Sequence, residues 1–95
     1  MKERIIEDVA TNLNISPQML KNSRRQDVLF ARVALIVRLR KELRLKYRQL
    51  ARMFEFKTLA AITHSFALDR ELSRSIVDGG YRDMKKRIQS INLER

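Results

Sequence analysis

His64 is the single histidine of the chain, and there is no cysteine. An imidazole serves as metal ligand or general base only with a second ligand or a carboxylate beside it, and at helical spacing His64 has neither. The lack of cysteine excludes disulfides, thiolate metal sites and thiol catalysis. No nucleophile–base pair and no paired acids stand out, so an enzyme is the least supported class. The only two glycines are adjacent, Gly79 and Gly80, so there is no glycine-rich loop to cradle a nucleotide phosphate. Neither cofactor, metal nor small-molecule substrate is expected.

What the residues offer instead is cationic binding. Twenty-one Lys and Arg oppose eleven Asp and Glu, giving +10 at neutral pH. Residues 21–57 hold twelve basic side chains against three acids (Asp27, Glu42, Glu55), so this segment carries +9 of the +10. A cationic middle on an ordered chain is the footprint of a polyanion binder, because such clustering opposes folding through self-repulsion. Exposed pairs such as Asp69 with Arg70 and Glu71 with Arg74 read as solvated helix faces worth little individually.

These charges need a scaffold, and the patterning points to helices. Ninety-five residues suit one domain over 1–95, and one proline with two glycines is too few for the turns of a β fold. Ile5, Ile6, Val9, Ala10 and Leu13 recur at helical spacing and predict a helix over about 3–13. Ser16-Pro17 is a start signal for a short helix over about 17–21. Residues 26–44 form a long helix that is apolar nearly all round at 28–37 and therefore central in a bundle. A short amphipathic helix over about 46–54 carries Tyr47, Leu50, Ala51 and Phe54. After a break at Glu55-Phe56-Lys57, Thr58 is expected to cap a helix with Leu59, Ile62 and Phe66 as core contacts, running to about 76. Asp78-Gly79-Gly80 is expected to stop it, and a last helix over about 81–92 presents Met84, Ile88 and Ile91. Met1, Met19, Met53 and Met84 read as scattered packing filler.

The expected fold is all-α, a small bundle of five to six helices around a long central helix, containing a helix-turn-helix over 47–66. In such a unit the second helix lies in the major groove, which makes Thr58, Ala60, Ala61, Thr63 and His64 the groove-facing positions. No stretch approaches the roughly 20 apolar residues that span a bilayer, so no membrane partner is expected. The first residues, Met-Lys-Glu-Arg-Ile-Ile, lack the apolar run of a signal peptide, and the expected location is cytoplasmic and nucleoid-associated.

The run Ile5-Ile6-Glu7-Asp8-Val9-Ala10, then Asn14-Ile15-Ser16, Leu20 and Ser23-Arg24-Arg25, resembles the C-terminal DNA-binding domain of the bacterial replication initiator DnaA. So does the helix 26–44 followed by Leu50-Ala51-Arg52-Met53-Phe54. The resemblance spans about residues 5–70. It implies a helical bundle with a helix-turn-helix for the major groove and a basic loop for the neighbouring minor groove. That loop falls on Lys21 to Arg25, with Arg24 the minor-groove residue, and a phosphate- or base-contacting arginine falls on Arg32. Where the family reads Gly-Gly-Arg-Asp-His-Thr-Thr-Val, this chain has Glu55-Phe56-Lys57-Thr58-Leu59-Ala60-Ala61-Ile62, then Thr63 and His64. Lys57, Ile62 and His64 are kept in kind, but no bidentate base reader is present. The family's target sequence is therefore not carried over.

The leading expectation is non-catalytic binding of double-stranded DNA in replication or transcription control. Lys21, Arg24, Arg25, Arg32, Lys46, Arg48 and Lys57 would meet phosphate or the minor groove. The alternative is a protein-interaction adaptor that uses the same fold for an acidic partner. Single-stranded RNA fits less well, because stacking platforms are not evident among two Tyr and four Phe.

Overall fold

The computed structural model describes residues 2–93, with Lys2 and Glu3 as backbone only. Met1, read above as filler, and the side chain of Glu3 lie outside the described residues. Among these residues no strand forms, and the chain runs through α1 (Lys2–Asn12), α2 (Pro17–Asn22), α3 (Gln26–Leu43), α4 (Tyr47–Met53), α5 (Ala60–Arg74) and α6 (Tyr81–Ser90). The radius of gyration is 12.2 Å, close to the ~12 Å of a folded chain of this length. The expected all-α bundle around a long helix is what forms.

The α3 helix is central because its sequence leaves it no polar face over two turns. Seven consecutive residues, Phe30 to Ile36, are buried, followed by Leu39. Such a stretch needs neighbours on every side, and α3 packs against α2, α5 and α6. The α1 helix adds Ile5, Ile6, Val9 and Ala10 to the same core and rests on α2 and α4. Tyr81 of α6 is fully buried, with its ring edge-on to Phe30 at 5.4 Å between centroids.

Local chemistry sets most helix ends. Ser16 Oγ accepts the Met19 N–H at 3.1 Å, so Ser16-Pro17 starts α2 as expected. Asn14 adopts a left-handed φ of 58°, and the Ile15 N–H returns to the Ala10 carbonyl, which closes α1. The two glycines act differently from expectation. The α5 helix already ends at Arg74, and Gly79 and Gly80 (φ 64° and 93°) shape the entry to α6. There Asp78 caps, accepting the N–H groups of Gly80 and Arg82 at 3.0 Å each. A Cβ on Gly79 would sit 2.8 Å from Nε2 at the flexible end of the Gln26 side chain, which can move aside, so the left-handed φ of 64° is what favours glycine there.

Asp69 is also not a solvated partner of Arg70. It accepts the Tyr81 hydroxyl at 2.6 Å and Lys85 Nζ at 2.8 Å, tying α5 to α6. Burial acts to raise the Asp69 pKa, but hydrogen bonds from Lys85 and then Tyr81 outweigh it and hold the carboxyl below its ordinary value.

Arginine side chains close the other ends. Arg38 of α3 donates through Nη1 to the carbonyls of Ile88 and Ile91, both at 2.7 Å, and through Nε to Glu42 at 2.9 Å. Arg87 donates to Asn12 at the end of α1 at 2.9 Å. Arg82 donates to the Ser73 and Ser75 carbonyls at the end of α5. Arg40 donates to Leu45 just beyond α3 at 3.0 Å. Carbonyls at a helix C-terminus lack intrahelical partners and carry partial negative charge, so a guanidinium satisfies both needs.

The Arg38 side chain is 9% exposed, whereas Arg82 is 50% exposed. Truncating Arg38 leaves the Ile91 carbonyl without its donor and the Ile88 carbonyl with only the Ile91 N–H, so Arg38→Ala is expected to lower stability by about 2 kcal/mol in urea unfolding. Arg82→Ala, whose carbonyls water can reach, is expected to lose less than about 1 kcal/mol.

Candidate nucleic-acid interface

The α4 and α5 helices form a hairpin, and six residues, Phe54 to Leu59, join them, a longer connection than the break expected at Glu55-Phe56-Lys57. The α4 helix presents Leu50 (0% exposed), Ala51 (6%) and Phe54 (1%) to the core. Lys46 precedes it, with its N–H donated to Gln49 Oε1 at 2.8 Å. Tyr47 stacks on Phe66 of α5 at 5.4 Å between ring centroids, and the Arg40 guanidinium lies over the Tyr47 ring. That contact fastens the start of α4 to the middle of α5.

The turn is built on a strained residue. Glu55 has φ 57°, and the Phe56 N–H reaches back to the Ala51 carbonyl at 2.8 Å while the Glu55 N–H reaches Arg52 at 3.2 Å. This closure normally has glycine at the left-handed position. Here the Glu55 carboxylate pairs with Lys21 Nζ at 3.0 Å, linking the turn to α2 across 34 residues. The hydrogen bond from Lys21, then one from Gln18, holds the Glu55 carboxyl below its ordinary pKa.

Thr58 does not cap α5. The position before the helix is Leu59, with no side-chain cap, and Leu59 is 46% exposed instead of packed in the core. Ile62 and Ser65 are the buried positions of α5, and Phe66, Leu68 and Leu72 are partly buried against the core. The helix therefore turns Ala60, Thr63 and His64 outward, with Ala61 and Ala67 half-buried beside them. Residues at these spacings share one face, about 10 Å long from Ala60 to Ala67.

Beside that face, Arg48, Arg52, Lys57 and Thr58 line an open cleft of about 320 Å³, floored by Ala51, Phe56 and Leu59. No acid lines it, and none of the three cations forms an ion pair among the described residues. Arg48 and Arg52 stand at i and i+4, where like charges repel, and the uncapped end of α5 adds the positive pole of its dipole. Arg52 is absent from the set expected from sequence. Its signal was present, four residues after Arg48 on the face opposite Leu50 and Phe54.

The remaining expected contacts divide sharply. Arg24 is exposed in the loop between α2 and α3 and forms no ion pair among the described residues. Arg25 is exposed but carries a two-point pair with Asp27, at 3.2 and 2.8 Å, which holds the Asp27 carboxyl below its ordinary pKa. Lys21 is half-buried and engaged by Glu55. Lys46 is exposed beside α4. Arg32 is not on this surface. It is 7% exposed, and its Nε and Nη2 donate to backbone carbonyls of Leu20 and Ser23.

No family model, curated protein or solved structure matches this chain.

A non-glycine residue in the left-handed region costs about 1–2 kcal/mol. Glu55→Gly is therefore expected to be more stable than Glu55→Ala by about 1 kcal/mol in thermal or urea unfolding, since both lose the exposed Lys21 pair and only the first relieves the strain. Equal stabilities would contradict the turn described here.

Proposed function

We propose that the chain binds double-stranded DNA, with α4, the turn and α5 acting as a helix-turn-helix. The observation that carries this reading is the acid-free cleft of Arg48, Arg52, Lys57 and Thr58 beside the exposed face of Ala60, Thr63 and His64. A cationic cluster kept without carboxylates is unfavourable for the free protein and favourable against phosphates. Arg24 on the α2–α3 loop supplies a further contact at the neighbouring groove, in keeping with the resemblance to the initiator's DNA-binding domain. A role in replication or transcription control belongs to the same proposal.

In this reading most affinity comes from phosphates and little from base edges. Ala60 and Ala61 offer methyl groups suited to thymine methyls, and Thr63 and His64 offer single hydrogen bonds. None forms the two-point contact that discriminates a base strongly. This lack also supports the second reading, an adaptor whose cationic surface meets an acidic protein.

Fluorescence anisotropy on a labelled duplex over a salt series tests the proposal. Six or more phosphate contacts predict an affinity loss of about a thousandfold or more between about 50 and 200 mM salt. Arg48→Ala, Arg52→Ala and Lys57→Ala should each reduce the log–log salt slope by about 0.9. No binding at low salt, or a flat slope, would refute it. Polyglutamate binding as tight as the duplex at equal salt would favour the adaptor.

A further inference from the structure

Arg32 is the one cation among the seven consecutive buried residues of α3. No carboxylate pairs with it among the described residues, and burial pushes its pKa below the ordinary value. Taking a guanidinium out of water is unfavourable unless its donors are met. Two of them are met, both at the exit of α2: Nε donates to the Leu20 carbonyl at 2.8 Å and Nη2 to the Ser23 carbonyl at 2.6 Å. Leu20 and Ser23 flank the end of a six-residue helix, too short to hold its own final turn firmly. Three residues later α3 begins, and between the two lie Ser23, Arg24 and Arg25 in extended or turn geometry.

We propose that Arg32 is a positioning residue for the Ser23–Arg25 loop, holding Arg24 at the DNA-facing surface from beneath while making no phosphate contact itself. The proposal rests on the DNA-binding reading for its functional part and on the α2 carbonyls for its structural part. Two further contacts complete the mounting. Ser23 Oγ accepts the Arg25 N–H at 3.2 Å, and Lys21 ties the same helix end to the turn before α5 through Glu55. The loop and the turn are thereby held relative to each other, and Arg24 reaches its target without first being ordered. Lysine cannot replace this fork, since one ammonium has no planar pair of donors to span both carbonyls.

The test compares wild type, Arg32→Lys and Arg24→Gln. In the free proteins, tryptic cleavage after Arg24 and Arg25 should rise several-fold in Arg32→Lys, with cleavage after Arg74 unchanged. On duplex DNA, Arg32→Lys should bind about tenfold more weakly through the loss of loop preorganisation, with its salt slope unchanged. Arg24→Gln should lose about 0.9 of slope. A slope reduced by about 0.9 in Arg32→Lys would place Arg32 on phosphate and overturn the proposal, as would unchanged cleavage in the loop. If Arg32→Lys fails to fold, the wild-type Arg32 Nε–H decides. Slow solvent exchange relative to Arg24 supports the clamp, and equal exchange overturns it. Absence of duplex binding by wild type would defeat the DNA reading alone, because cleavage and exchange still report on the clamp.

Discussion

Every helix ends in carbonyl groups that the helix cannot satisfy, and here arginine side chains meet them at four of the six ends. Arg87 serves α1, Arg32 serves α2, Arg82 serves α5 and Arg38 serves α6, while Arg40 donates to the Leu45 carbonyl beyond α3. The α3 helix ends on Arg44 in the left-handed region (φ 54°), and α4 closes on its own backbone around Glu55. Charge-assisted bonds of this kind contribute about 1.5–3 kcal/mol each where water is excluded, as around Arg32 and Arg38, and less at exposed ends. They also join distant segments, with Arg38 reaching α6 across 50 residues and Arg87 reaching α1 across 75. A bundle of short helices with few glycines needs such closures, because its turns supply few others.

This constraint divides the positive charge into two populations. Of the twelve basic residues in 21–57, Arg32, Arg38 and Arg40 are engaged by carbonyls, and Lys21 and Arg25 by carboxylates. Arg24, Lys46, Arg48, Arg52 and Lys57 are exposed without such partners among the described residues, as are Lys41 in the last turn of α3 and Arg44 just past it. The net charge therefore overstates the cationic surface, while the free cations concentrate near the α4–α5 turn and the α2–α3 loop. The Lys21–Glu55 pair spans the gap between those two places.

Helix positions were legible in the sequence because burial has a period. The apolar spacing of α1, the Ser16-Pro17 start of α2 and the all-round apolar run of α3 each have a single reading in helical geometry. The exposed faces of α4 and α5 followed from the same period, which is why Arg48, Thr63 and His64 were placed outward. Partners of charged groups were not legible. Nothing in the residues around Arg32 or Arg38 says that a carbonyl of another helix awaits them, and Asp69 has a nearer-looking partner in Arg70 than Tyr81 or Lys85. The geometry of the turn is hidden for a related reason. Glu55 gives no sign of a left-handed φ, and Leu59 carries an apolar side chain at a place the hairpin leaves outside. Gly79 and Gly80 gave the right conformation at the wrong helix end, since left-handed residues serve exits and entries alike.

We propose that one surface, made by the α2–α3 loop, the α4–α5 turn and the outer face of α5, meets duplex DNA. The most direct measurement is a backbone amide map of the labelled protein titrated with a short duplex, read by nuclear magnetic resonance. Contact through this surface groups the shifts at Arg24, Arg48, Arg52, Lys57, Thr63 and His64, and leaves α6 and the exposed Ile76 and Val77 of the α5–α6 connection unmoved. Shifts centred on α6 or the Ile76-Val77 loop, or none at all, would contradict it.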